Sequence, residues 1–447
     1  MGEIQEKSLD GLSRRLAEFA VSFELRHAPA EVLENAKIAA LDCLGVAILA
    51  VSQEIGHVLL SYARANCSTG PCTVWGSSVT ANSRDAAFLN GTLAHGLDFD
   101  DRGHASTYTL ASAIAAAECC NASGAATIEA FIVGREIRMS LDGLFARRSS
   151  GEGPGARGWH SNGILGPIAS ACAASKIFDL DVQHTLTAIG LAAGSCGALT
   201  RDGGTMAKPF RAGHAAAAGL TCALLAKEGF TSDETPLEGP YGLLAALGPL
   251  GEDVLDSLGK DLGAPYDLVT RGVEVKQFAS CTATHAAVEA MLRLVQKRAV
   301  QPSEVNFIEC DLRPYPALRT CPQRGFEGRF SVPFCVAIAL IFGRLSPEDF
   351  TDERARDRWV RSLIERCRHA PGLKSLVVCL NDGTRLSEPI RRAGNIKGWE
   401  KVHEKFNRCV GDVLPDRQRA MLPDLVAHLE ELPSVRELTK SLCLPTS

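Results

Sequence analysis

Apolar residues recur at helical spacing through most of the first 270 positions. Leu12, Leu16, Phe19 and Phe23 share one face of a segment spanning 8–23, which predicts an amphipathic helix. A second helix is expected over 29–50, with Pro29 at its start and Glu31 and Glu34 toward the positive end of its dipole. Its second half, IAALDCLGVAILA, is apolar nearly all round, as in a helix enclosed by others. The same periodicity predicts helices over 54–65, 83–98, 106–121, 126–145, 160–177, 182–196, 208–228 and 252–258. Alanine is dense in ASAIAAAECC and AGHAAAAGLTCALLA, and small side chains there let helix axes approach closely.

After Gly263 the pattern changes. EVNFIECDLRP alternates and is rich in β-branched residues, so a strand is predicted over 304–314. SLVVCLNDGTRLSEPI reads as two strands around Asn381-Asp382-Gly383, a hairpin over 375–390. Between them lie an apolar helix (331–342) and a charged amphipathic helix (352–369). Helices return over 399–408, 416–430 and 435–443. The expected architecture is mainly α: a large all-helical domain (1–268 with 396–447) and a smaller α+β domain (269–395).

Length and composition fit this reading. A chain of 447 residues exceeds one ordinary core, and 46% hydrophobic with 22% charged residues is typical of globular proteins. The net charge is −5 and no Lys/Arg run stands out, so no nucleic-acid footprint is expected. The 16 cysteines are scattered, mostly inside apolar stretches, and form no CxxC pair; they read as reduced and buried, in a reducing compartment. The first twenty residues carry no apolar core of a signal peptide, and no window reaches eighteen uninterrupted apolar residues. A cytoplasmic protein without membrane partners is expected.

The densest polar cluster is HGLDFDDRGHASTY (95–108), set between two apolar helices. Helix capping accounts for some of its Asp and Ser/Thr residues, but not for two His, an Arg and a Tyr. His95 and Asp98, three apart, are expected on one helix face. Asp98, Asp100 and two His also admit a metal, although the spacing matches no familiar metal motif. A second segment, GGTMAKPFRAGH, places Lys208 at a helix start, where the dipole opposes its ammonium, with Arg211 three residues on. A third, ARGWHSNGILGP, puts His160 before a helix that Ser161 and Asn162 are placed to cap. A fourth, EVKQFASCTATHAAVEA, carries Lys276, Cys281 and His285 at the domain junction and runs into an amphipathic helix. No GxxxxGK[ST] or GxSxG occurs, and GEGPG at 151–155 follows no predicted strand, which argues against nucleotide binding and serine hydrolysis.

Six phrases in order carry a resemblance: AAFLNGTLAHGLDFDD, RGWHSNGILGPIASACAASK, GTMAKPFRAGHAAAAGLTCALLAKEGFTS, LEGPYGLL, KQFASCTATHAAVEA and GRFSVPFCVAIAL. Together they resemble the MmgE/PrpD family from about residue 10 to the C-terminus. The family contains 2-methylcitrate dehydratases, cis-aconitate decarboxylases and an iminodisuccinate epimerase. The resemblance implies a large helical domain beside a smaller α+β domain, a homodimer, no metal or organic cofactor, and an active site between the domains. By position it carries site roles to Asp98, His160, Lys208 and His285.

The loop after Asp98 departs from the decarboxylase pattern, with Arg102 in place of Thr and Tyr108 in place of His; Tyr315 is the nearest counterpart of a tyrosine further on. These changes, with the chain's length, look most like the epimerase branch. The expectation is therefore a cofactor-independent epimerase of an amino-dicarboxylate such as iminodisuccinate. Lys208 and Tyr108 are expected as its opposed acid/base pair and His104 and His160 as further candidates. Arg102, Arg211 and Cys281 are expected to bind a di- or tricarboxylate substrate. A lyase of the same family is the alternative.

Overall fold

The computed structural model describes residues 11–145, 153–260, 262–311 and 319–444. Tyr315, the first ten residues and the first two residues of GEGPG lie outside them. The longer helices are numbered in chain order: α1 (Leu12–Ser22), α2 (Ala30–Val51), α3 (Glu54–Asn66), α4 (Ser83–His95), α5 (Ala105–Cys120), α6 (Gly124–Ser140), α7 (Ser161–Ile177), α8 (Val182–Gly194) and α9 (Ala207–Lys227). A short hairpin, β1 (Cys72–Thr73) with β2 (Thr80–Ala81), precedes α4. No hydrophobic alternation marks strands of this length.

The helical part is a stack around α5, α7 and α9, whose buried faces are rich in alanine, glycine and aliphatic residues. Helix α9 packs on both α7 and α4. The contact with α4 depends on Gly213: a Cβ there would lie 2.0 Å from the Thr92 hydroxyl oxygen and 2.1 Å from the Phe88 carbonyl oxygen. Only glycine lets the two helices approach this closely. This contact fixes the end of α4 relative to the start of α9, and both ends lead into the polar site.

The smaller part holds α10 (Thr282–Lys297), β3 (Val305–Cys310), α11 (Val332–Phe342), α12 (Arg358–Glu365), β4 (Cys367–His369), β5 (Ser375–Leu380) and β6 (Arg385–Pro389). The sheet order is β4-β3-β5-β6, with β3 parallel to β4 and the other pairs antiparallel. The β5–β6 turn closes at Asn381-Asp382-Gly383, where Gly383 takes φ 84° and Asp382 Oδ1 accepts the Thr384 N–H at 2.8 Å. The chain then returns to the helical part. Helix α13 (Trp399–Val410) lies along α2, α14 (Asp416–Ala427) packs beside both, and the short helix Arg436–Leu442 packs on α14 and β1. The molecule is thus mainly α with a smaller α+β part.

Two predicted helices are corrected. The segment 352–369 is not one helix. It breaks at Asp357, whose Oδ1 accepts the Trp359 and Val360 N–H groups and caps a new helix, and its last residues leave to pair with β3. The helix predicted over 83–98 ends at His95, and Asp98 lies beyond it in the left-handed region at φ 51°. His95 and Asp98 therefore do not share a helix face. Among the described residues no single helix is long and apolar enough to cross a membrane, and all sixteen cysteines are unpaired.

Candidate active site

The loop between α4 and α5 is a dense buried polar segment, anchored by two hydrogen bonds from imidazoles to Asp100 and by two buried ion pairs. Asp100 accepts from two imidazoles, His95 Nδ1 at 3.0 Å and His104 Nδ1 at 2.6 Å. Asp101 pairs with Arg135 of α6, which also donates to Ser106 at 2.9 Å. Lys405 of α13 donates to the Phe99 carbonyl at 2.7 Å and pairs with the buried Asp42 of α2 at 2.6 Å. With every neighbour fixed, Asp98 and His104 hold their positive φ angles (51° and 64°), which side chains other than Gly, Asn and Asp rarely adopt.

Asp98 is the centre of the site. Its Oδ1 accepts from Lys208 Nζ at 2.8 Å and from Lys276 Nζ at 2.7 Å, while Lys276 also donates to the Asp98 carbonyl at 2.8 Å. Lys208 comes from the first turn of α9 and Lys276 from the segment entering the smaller part, so both parts of the fold meet on one carboxylate. Burial alone would raise the Asp98 pKa, but the two ammonium groups hold it well below the usual carboxylate range. Burial works against the Lys276 ammonium as well, and Asp98 and Asp100 more than offset it.

These residues face a cavity of about 270 Å³. Asp98, Arg102, His104, His160, Lys208, Lys276, Cys281 and Phe330 are among its walls. Three cations face one carboxylate, so the cavity favours an anion. Its size sits near the small end of ligand pockets, roughly 300–1,000 Å³. Phe330 lies beneath Lys208, 5.2 Å from Nζ to the ring centre.

Both cavity imidazoles are neutral. Burial and the nearby Arg211 and Lys208 push His160 well below its ordinary value, and burial pushes His104 down to about 3. His160, at the N-cap of α7, accepts the Asn162 N–H on Nδ1 at 3.3 Å, which assigns its proton to Nε2. His104 donates from Nδ1 to Asp100, which leaves its Nε2 as an acceptor, 3.6 Å from Asp98 Oδ1. One ring therefore offers the cavity a hydrogen-bond donor and the other an acceptor.

The geometry sorts the residues expected from the sequence. Asp98, His104, His160, Lys208, Arg102 and Cys281 converge on the cavity. Arg102 also approaches Glu274, Nε to Oε2 at 3.4 Å. Tyr108 does not reach the cavity: it is 0% exposed inside α5, and its hydroxyl accepts from Arg138 Nε at 3.0 Å. Burial pushes that hydroxyl up to about 12, so the expected Lys208–Tyr108 pair is corrected. Arg211 is also not a wall residue, because its guanidinium turns to the Leu199 carbonyl and to Asp202. His285 stands behind the wall, hydrogen-bonded through Nε2 to the Ser280 carbonyl at 3.1 Å, where it braces the loop carrying Cys281.

Lys276 was only part of a junction motif in the sequence, and nothing marked it above Cys281 or His285. Its role comes from a partner 178 residues away. His95, Asp98, Asp100 and His104 do offer metal-ligand atoms within 4.8 Å of one another. Yet two ammonium groups already bond Asp98 Oδ1, and their charges oppose a divalent cation there.

The MmgE/PrpD N-terminal domain matches residues 14–252 and the MmgE/PrpD C-terminal domain matches residues 278–431. Cis-aconitate decarboxylase of Homo sapiens is 26% identical, with 98% of this chain and 96% of the relative covered. The Mus musculus protein of the same name is 25% identical over 98% and 94%. 2-Methylcitrate dehydratase of Escherichia coli O157:H7 is 25% identical over 78% and 80%. With both domains matched in order across most of its length, the chain belongs to the MmgE/PrpD family.

Proposed function

We propose that the chain is a lyase that acts without a cofactor on a small di- or tricarboxylate, through a carbanion formed beside a carboxylate. The observation that carries this reading is the cavity wall, where Lys208, Lys276 and Arg102 face a single carboxylate, Asp98. Loss of CO₂, or of a proton next to a carboxylate, spreads negative charge onto the remaining carboxylate oxygens. Fixed cations in a closed site stabilise that charge as it develops. The neutral His104 Nε2 is placed to accept a proton, and the His160 Nε2–H to hydrogen-bond the developing charge. The relatives named as decarboxylases, covered over 98% of this chain, support the lyase reading.

Epimerisation of an amino-dicarboxylate such as iminodisuccinate is the second reading. Arg102 in the cavity wall favours it, as a clamp for a second carboxylate. Since Tyr108 is committed to Arg138, the group opposing Lys208 would have to be His104 or His160. Incubating the protein in D₂O with cis-aconitate, 2-methylcitrate and iminodisuccinate, followed by NMR, separates the two. The lyase reading expects CO₂ release or a new unsaturated acid. Deuterium at the α-carbon of a substrate whose connectivity is unchanged, with neither of those products, would overturn it.

A further inference from the structure

A second cavity, of about 280 Å³, lies behind the active site on the far side of Leu97. Gln53, Glu54, Leu97, Arg329, Phe350 and Asp352 are among its walls. Its deep end is formed by Leu97, Phe350 and Arg329, which is 2% exposed, and its mouth by the exposed Glu54.

Arg329 is unlike the other buried arginines around the site. Arg135 and Arg138 each hold a carboxylate, whereas no described carboxylate lies within ion-pairing distance of Arg329. Nη1 donates to the Leu97 carbonyl at 3.2 Å and to the Ala279 carbonyl at 2.8 Å, and the guanidinium stacks on Phe350 at 4.4 Å. Nε is buried and has no partner. Burial draws the group down to about 10, which still leaves it cationic at neutral pH. Asp98 and Glu348 act on it only from beyond ion-pairing distance, so this buried cation in a cavity wall has no counter-charge in contact. Glu54 and Asp352 do not provide one, since Arg324 lies between them at 3.8 and 3.6 Å.

We propose that this rear cavity is a binding site for a small monovalent anion, which seats against the Arg329 guanidinium in the cavity wall beside Phe350. The anion would also stiffen the catalytic site. Arg329 Nη1 holds the residue before Asp98 and the second residue before Cys281, and the Arg329 carbonyl accepts the Cys281 N–H at 2.8 Å. Arg329 touches no substrate in this scheme; it is a positioning residue that joins the two loops, with Phe330 next to it under Lys208.

Bromide is the probe. Crystals of the full chain soaked in sodium bromide are expected to show an anomalous peak at the Arg329 guanidinium. Gln53→Glu places a negative charge on the cavity wall without touching any bond of Arg329, and should abolish the peak or weaken binding about tenfold. In solution, bromide should raise Tm saturably by roughly 2 °C relative to fluoride at equal ionic strength. Neither Gln53→Glu nor Arg329→Gln should show that rise. The proposal is overturned by a missing peak, by electron density placing Glu54 or Asp352 on Arg329, or by an equal Tm response in all three proteins. Neither readout involves substrate, so the result is independent of the lyase assay.

Discussion

Lys208 and Lys276, which come from opposite parts of the fold, donate to the same oxygen of Asp98 at 2.8 and 2.7 Å. One carboxylate therefore joins the helical part to the smaller part and also sets the charge of the cavity. Asp98→Asn would leave two buried ammonium groups without their counter-charge. It is expected to cost about 3–5 kcal/mol in chemical denaturation, together with activity. Lys208→Met is expected to lower kcat by about 10²–10⁴, the range for a lost proton-transfer or charge-stabilising group, with a smaller loss of stability. Near-normal turnover in Lys208→Met would remove that lysine from the mechanism.

Tyr108→Phe tests the correction made by the fold. Its hydroxyl is bonded to Arg138 and lies outside the cavity. The variant should keep kcat within a few-fold of wild type and lose roughly 1–3 kcal/mol of stability, as Arg138 Nε loses its acceptor. A hundredfold loss of kcat in a protein of unchanged stability would return Tyr108 to the chemistry.

The buried histidines predict a pH dependence of stability. His285 is held down to about 4 by burial, below the unfolded value near 6.5. A depressed value means that its contribution is fully present above pH 6.5. As pH falls toward 4 the unfolded chain takes up a proton that the folded chain refuses, and the contribution is lost. His285 alone should account for roughly 1.5 kcal/mol between pH 6.5 and 5. Denaturation curves for wild type and His285→Gln at both pH values check this, and equal pH slopes would contradict it.

Gly213→Ala probes the contact that sets the active-site geometry. The new methyl group would meet the Thr92 hydroxyl and the Phe88 carbonyl at about 2 Å, so α9 must move away from α4. The expected cost is about 1–3 kcal/mol, with a fall in kcat as Lys208 shifts relative to Asp98. Retention of both Tm and kcat would show that the helices reach the same geometry without glycine.

Local information was enough for most of the elements. Periodicity and capping residues marked α2, α4, α7 and α9 to within a few residues, and Asn381-Asp382-Gly383 marked the β5–β6 turn. It failed where a tertiary partner overrode local preference, as in 352–369, whose last residues exchange a helix for pairing with β3. The site divides in the same way. The sequence alone singled out the polar loop at 95–108, Lys208 and His160, because buried charge between apolar helices is costly and therefore conspicuous. Which of those side chains face the cavity was decided only by the fold. Tyr108 and Arg211 turn to Arg138 and to Asp202, and Lys276 and Arg329 gain their meaning from partners 178 and 232 residues away. A side chain's direction depends on the nearest charge able to satisfy it, and those charges meet only when helices distant in sequence pack together.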